Sequence, residues 1–199
     1  NSVVVYVTLE QTVEELRLFN VAAEEMMNVS KIANGKMEPK EWDEIKTGLR
    51  KLHPLPLWFA GRSMTRRKNR AQLTPENIHA SLSDVEKWSG DELKQSIDSV
   101  FVDYLQKFRP NGSDFVQYYG NTTSYLKDLA GDYMTRVVLG VQAKREVDLR
   151  KPQIPQMDDG QWSSTIEQFS DGVIAVARPS HYKKDKDEFD GVVVEGRYQ

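Results

Sequence analysis

The sequence predicts an α/β protein: a mostly parallel central sheet flanked by helices, with a C-terminal β-hairpin. Three observations carry this. Apolar, β-branched runs recur at Ser2–Val7, Val100–Val102, Arg136–Gln142 and Gly172–Ala177. Stretches with apolar residues at helical spacing separate them. The run Ser99-Val-Phe-Val-Asp103 passes straight into a carboxylate. It reads as a strand buried on both faces, with an acid at the rim where open parallel sheets bind ligands. Such an Asp can hold Mg²⁺ through its water shell beside phosphates; the alternative is a solvated Asp after an ordinary strand.

Taken in order, Ser2 to Val7 is the first strand, and Thr8-Leu-Glu10 puts a second acid at a strand's carboxyl end. Val13, Leu16, Phe19, Ala23 and Met26/Met27 predict an amphipathic helix from about Thr12 to Met27. Asn28 to Met37 reads as a connector. Pro39 suits the first turn of a helix running through Trp42, Ile45 and Leu49 to Leu52, stopped by Pro54 and Pro56. Leu57–Ala60 is a short strand, followed by a polar connector from Gly61 to Leu73. Thr74 caps a helix with Pro75 at its first position and Ile78, Leu82 and Val85 on its buried stripe. Leu126, Leu129, Ala130 and Tyr133 mark a helix beginning near Asn121. Ala143 to Ser163 is a long loop, and a loop of that length in a compact protein suggests function. A helical turn at Ser164–Phe169 precedes the last two strands, Gly172–Ala177 and Val192–Val194, which read as a hairpin. Trp42 and Trp58 read as core.

Composition narrows the chemistry. The chain has 199 residues, 39% hydrophobic and 29% charged, and its net charge of −3 carries no global basic field, so any nucleic-acid site is local. The absence of cysteine excludes disulfides, thiolate chemistry and Cys-based zinc sites. His53, His79 and His181 have no metal-ligand spacing. No apolar run approaches the ~20 residues that span a bilayer, and a reduced, soluble compartment is expected. Both ends fall beside strand-like runs, so the 199 residues are expected to be one domain, 1–199, from within a longer protein.

Three segments together resemble the RecA-like motor domain of DnaB-type replicative helicases. The first is Tyr6-Val-Thr-Leu-Glu10 with Glu14-Glu-Leu16, Ala23-Glu24, Val29-Ser30, Ile32, Gly35-Lys-Met37 and Glu41-Trp42. The second is Val102-Asp-Tyr-Leu-Gln106, and the third is Ser164-Thr-Ile-Glu-Gln168 with Asp171. The resemblance implies a RecA-like P-loop NTPase core that uses ATP, or another NTP, with Mg²⁺. It implies a homo-oligomer, a hexameric ring moving on single-stranded DNA, that meets a primase or helicase loader. It also implies the cytoplasm of a bacterial or phage-infected cell, and no membrane. Glu10 would be the catalytic glutamate and Asp103 the metal-associated acid. Gln142 would sense the γ-phosphate, with Arg145 near the same nucleotide. Arg197 would reach the neighbouring subunit's nucleotide. Lys107, Arg109, Lys144, Arg145, Arg150 and Lys151 would line a DNA channel, as backbone-tracking cations do.

The chain also departs from the pattern. No GxxxxGK(S/T) phosphate-binding loop occurs; in the family it would precede the strand ending in Glu10. Gly160-Gln-Trp-Ser163 lacks the arginine and glutamate usual before Ile166, and Arg197 stands without a basic partner. A non-hydrolysing RecA-fold relative acting in assembly or DNA binding is the alternative function. The cluster Arg66, Arg67, Lys68 and Arg70 reads as a solvated connector, or else as a DNA or subunit contact.

Overall fold

A computed structural model describes residues 2–63, 74–93, 95–110, 114–150, 154–160, 163–177 and 191–195. Among the described residues the strands and α-helices follow in the order β1 (Val3–Thr12), α1 (Val13–Glu24), α2 (Val29–Ala33), α3 (Pro39–Leu52), β2 (Leu57–Arg62), α4 (Pro75–Trp88), β3 (Ile97–Asp103), α5 (Phe115–Asp132), β4 (Arg136–Leu139), α6 (Ser163–Phe169), β5 (Val173–Ala177) and β6 (Gly191–Glu195). Contacts divide the chain into two compact units, 1–103 with 134–138, and 104–133 with 139–199.

The first unit is built on a sheet of order β2-β1-β3-β4, with β1 parallel to both of its neighbours. The order follows from the connections. β1 leads through α1–α3 to β2 on one side, and β2 leads through α4 to β3 on the other. β2 and β3 therefore lie on opposite sides of β1, and the carboxyl ends of such strands are where open parallel sheets bind ligands.

Register sorts the side chains into two faces. Val5 pairs with Trp58 and Val100, and Val7 with Ala60 and Val102. Val3, Val5, Val7, Val100 and Val102 are all buried. Ile78, Leu82 and Val85 of α4 are buried too, and Trp88 meets Trp58 edge-on at 4.8 Å. The opposite face carries the row Phe59, Tyr6 and Phe101. That face is only half covered, Phe101 being 36% exposed, so β3 is not buried on both sides as its apolar run suggested. A satellite core of Val21, Ala22, Ile32 and Ile45 joins α1, α2 and α3.

Several boundaries differ from expectation, each for a local reason. β1 continues past Val7 to Thr12, because a bulge keeps it paired with β2. α1 begins after Thr12, whose hydroxyl accepts from the backbone N–H of Glu15 while the Glu15 carboxylate accepts from the N–H of Thr12. It stops at Glu24, and Met26, in left-handed backbone at φ 52°, is 94% exposed rather than part of the stripe. The connector after it contains α2, capped by the Asn28 side chain. Trp42 is 44% exposed and not core; Trp58 is half-buried.

In the second unit, α5 begins at Phe115, six residues before Asn121, because the Asp114 carboxylate accepts from the Gln117 N–H as an N-cap. β4, a strand of the first unit's sheet, stops at Leu139, three residues before Gln142. β5 and β6 form the expected antiparallel hairpin, from Val173↔Glu195 to Ala177↔Gly191.

Candidate functional site

Glu10 lies inside the β1 bulge. Thr8 pairs with Gly61, but the next partner of β2, Arg62, is Thr12, so Leu9 to Gln11 bow out of register. Such bulges re-aim side chains beside active sites. The buried Thr8 hydroxyl donates to the Gln11 carbonyl at 2.8 Å and closes the bow. Gly61 makes it possible: a Cβ there would stand 2.3 Å from Thr8 Cγ2 and 2.9 Å from the Thr8 carbonyl oxygen. Ser63 donates to Glu14 at 2.5 Å, tying the end of β2 to the first turn of α1. Glu10 itself is exposed.

Asp103 ends β3 and pairs in register with Thr8, so both acids stand toward the carboxyl ends of adjacent parallel strands. Tyr6 lies two residues before Thr8 on β1, on the face that bears Phe101 and Asp103. Its hydroxyl donates to Asp103 Oδ2 at 3.0 Å. Its ring lies beside Phe101 and Phe59, each with centroids 6.3 Å away. Burial pushes the Tyr6 phenol up to about 12, reinforced by the bond to Asp103 and that carboxylate's charge, so the hydroxyl stays a donor at neutral pH. Asp103 is half-buried.

These residues fit a magnesium–phosphate site. Among the described residues no cluster of three or more His, Cys, Asp or Glu could hold a metal by itself. A single strand-end carboxylate, with no cation paired to it among the described residues, suits Mg²⁺, which keeps several waters and is shared with substrate phosphates rather than caged by protein.

In the second unit, Gln142 is exposed and its backbone is clamped by Gln106. The Gln142 N–H donates to Gln106 Oε1 at 3.1 Å, and Gln106 Nε2 donates to the Gln142 carbonyl at 3.4 Å. Beside this clamp the Leu105 N–H donates to the Gly140 carbonyl at 2.9 Å. The Tyr119 hydroxyl of α5 donates to the Phe108 carbonyl at 3.1 Å. The loop carrying Lys107 and Arg109 is thus pinned at both ends of the span from Leu105 to Phe108. Arg109 is exposed, and Lys107 Nζ lies over the Tyr104 ring at 5.4 Å.

The long loop after Gln142 is internally bonded. Arg150 forms an ion pair with the buried Asp159 and donates to Gln156 Oε1 at 3.4 Å. Burial works to raise the Asp159 pKa, but the Gln156 backbone N–H and the Arg150 guanidinium outweigh it and hold the carboxyl below its ordinary range. The Lys144 N–H donates to the Asp159 carbonyl at 2.7 Å, and its ammonium to the Asp158 carbonyl at 2.8 Å. Arg145 is exposed at the start of the 3-10 turn Arg145–Leu149. Two of the expected DNA cations, Lys144 and Arg150, therefore hold the loop together. Lys151, Arg197 and the cluster Arg66, Arg67, Lys68 and Arg70 lie outside the described residues.

Sequence reasoning assigns no role to Tyr6, Gly61, Gln106 or Asp159. The signal for Tyr6 is faint: one phenol among the valines of Val3 to Val7. Gln106 reads only as a letter of the Val102–Gln106 segment, and Asp159 as loop.

A mostly parallel sheet with two acids toward the carboxyl ends of adjacent strands is the frame of a RecA-like core. The chain belongs to the family described as the DnaB-like helicase C terminal domain, whose model matches residues 1–197. It is 26% identical over 188 residues to a probable replicative DNA helicase of Trieres chinensis, covering 92% of this chain and 38% of that protein. It is 24% identical over 190 residues to the replicative DNA helicase DnaB of Geobacillus stearothermophilus, covering 94% of this chain and 39% of that protein. The chain thus spans about two fifths of the length of these relatives. Its fold matches a solved structure described as an ATPase domain, with TM-score 0.75 and 18% identity over 94% of this chain and 63% of the other. It also matches a DnaB-like replicative helicase solved to describe its interactions with primase, with TM-score 0.76 and 18% identity over 94% of this chain and 43% of the other.

Proposed function

We infer that the chain is the motor domain of a ring-forming replicative DNA helicase, which couples ATP hydrolysis to movement along single-stranded DNA. The observation that carries this reading is the pair Glu10 and Asp103 at the carboxyl ends of β1 and β3, in a chain of the DnaB-like family.

The chemistry follows from positions and charge. Glu10, turned outward by the bulge, accepts a proton from the water that attacks the γ-phosphate and fixes its line of approach. Asp103 would hold a hydrated Mg²⁺ by accepting hydrogen bonds from its waters. When bound, that ion offsets the charge on the phosphate oxygens. Gln142 reads the γ-phosphate through its side chain while Gln106 holds its backbone, and Arg145 assists beside it. Arg197 serves the adjacent subunit's nucleotide, as expected of a hexameric ring. Lys107 and Arg109, on a pinned loop, contact DNA phosphates without reading bases, as does Lys151. Lys144 and Arg150 act there chiefly by shaping the second loop. A primase or helicase loader is the expected protein partner.

The test is Glu10→Gln in the full-length protein. The amide keeps the shape of the acid but cannot take the proton, so nucleotide binding persists while steady-state phosphate release is lost. Full turnover in Glu10→Gln would remove Glu10 as the base and, with it, the mechanistic reading of the β1 bulge.

A further inference from the structure

We propose that Tyr6 is a positioning residue for the metal-associated carboxylate, its hydroxyl fixing the rotamer of Asp103 so that one oxygen faces the hydrated Mg²⁺. The inference rests on the reading of Asp103 as that carboxylate and adds a group that this reading leaves out. The observation is the hydrogen bond from Tyr6 Oη to Asp103 Oδ2 at 3.0 Å, made between neighbouring strands by residues 97 apart in sequence.

Three features make it a device rather than an incidental contact. First, the phenol is itself held. Tyr6 stands in register between Phe59 on β2 and Phe101 on β3, and its ring meets both, the second stacked with only 16° between planes. A side chain fixed on two sides can impose an orientation on its partner; a free one cannot. Second, this is the one hydrogen bond or ion pair that Asp103 makes among the described residues, so no other group there sets its χ angles. An outer-sphere ligand works through a water, and a carboxylate free to rotate would spend its time in rotamers that miss that water. Third, the geometry divides the carboxylate's work. Oδ2 is satisfied by a neutral donor that leaves the negative charge in place, and Oδ1 is left for the metal's water. A lysine or arginine in place of Tyr6 would orient the group equally well but would neutralise the charge that attracts the cation. A tyrosine orients without neutralising.

The bond also links the two acids mechanically. Tyr6 and Glu10 are on the same strand, separated by Thr8, whose register partner on β3 is Asp103. Sliding β1 against β3 would disturb the bulge and the carboxylate together, so the water-activating and metal-holding groups keep one relative register.

The experiment compares Tyr6→Phe, Asp103→Asn and the double variant in the full-length protein. A fluorescent ATP analogue is titrated at a series of Mg²⁺ concentrations and also in EDTA. Outer-shell partners of metal ligands typically contribute 10–100-fold to metal affinity. Tyr6 acts one water further out, so Tyr6→Phe should raise the Mg²⁺ concentration at half-maximal binding by about tenfold. Affinity in EDTA and the melting temperature should stay unchanged, which a merely structural role would not predict. In the Asp103→Asn background, Tyr6→Phe should add nothing, since its effect passes through that carboxylate. The inference is overturned if Tyr6→Phe leaves the Mg²⁺ dependence unchanged while Asp103→Asn shifts it. It is equally overturned if Tyr6→Phe shifts the dependence to lower Mg²⁺, which would make the hydroxyl a charge-withdrawing group. If Asp103→Asn itself leaves the Mg²⁺ dependence intact, the assignment of Asp103 fails first and takes this inference with it.

Discussion

Gly61→Ala is the sharpest single test of how the β1 bulge is built. A Cβ at position 61 would stand 2.3 Å from Thr8 Cγ2 and 2.9 Å from the Thr8 carbonyl oxygen. Neither neighbour can give way cheaply. The carbonyl belongs to the backbone, and the Thr8 side chain is buried and held by its hydrogen bond to the Gln11 carbonyl. Rotating Thr8 away would forfeit that bond, about 1 kcal/mol, and the remaining overlap would displace β2 from β1 at the usual overpacking cost of about 1–3 kcal/mol. The sum is about 2–4 kcal/mol, a large part of the stability of an ordinary domain. Native-state hydrogen exchange is the right assay, because it reports the β1–β2 ladder amide by amide where a global melt would average over the chain. Amides of Val7, Thr8 and Ala60 should lose protection by about 30-fold or more at the lower end of that range. In the full-length protein, turnover should fall more than nucleotide binding, because Glu10 loses its aim. A Gly61→Ala protein with wild-type protection along β1 and β2 would refute the close-approach argument and the claim that the glycine sustains the bulge.

The other predictions are local. Gln106→Ala should speed hydrogen exchange at the Gln142 amide, which donates to the Gln106 side chain, and leave the β1–β3 ladder unaffected. The Glu15 carboxyl is held below its ordinary range, first by the backbone N–H and then by the hydroxyl of Thr12. A depressed native pKa contributes stability that is complete above the ordinary glutamate range and is lost as pH falls through the native value. Melts of Glu15→Gln should therefore fall below wild type at neutral pH and converge with it in acid. Arg109→Ala should weaken single-stranded DNA binding for all sequences alike and lower the salt slope by about 0.7, one phosphate contact. Arg150→Ala should also weaken binding, but with faster amide exchange at Lys144 and Asp159, because Arg150 braces that loop.

Much of the architecture was legible in the order of residues. The valine run of β1, the apolar run of β3 and the capping signals Thr74-Pro75 and Pro39 are local, and local physics suffices for them: β-branched side chains favour the pleated sheet, and a proline in a helix's first turn gives up no intrahelical hydrogen bond. The placement of Asp103 at a strand's carboxyl end was legible for the same reason. The start of α5 is hidden in the sequence because the segment Phe115 to Tyr119, rich in aromatics, obscures its helical character, and the capping Asp114 signals it only once its bond to Gln117 is seen. Trp42 reads as core, yet stands exposed, because hydrophobicity alone does not say which side of a helix finds a partner.

The site divides along the same line. The two acids stand out in the sequence because each follows a short apolar run, and the family resemblance is legible there because three segments carry it together. Only the tertiary structure decided what those residues can do. The strand order that sets Glu10 and Asp103 on neighbouring strands is encoded in no local pattern. The aim of Glu10 depends on Thr8 and Gly61, residues on two strands 53 positions apart. The orientation of Asp103 depends on Tyr6 across the β1–β3 register, and the engagement of Arg150 depends on a carboxylate nine residues away. Composition and periodicity report the free energy of burying a side chain, a property of one residue at a time. Hydrogen-bond partners and close approaches are properties of pairs, and pairs are chosen only when the chain has closed on itself.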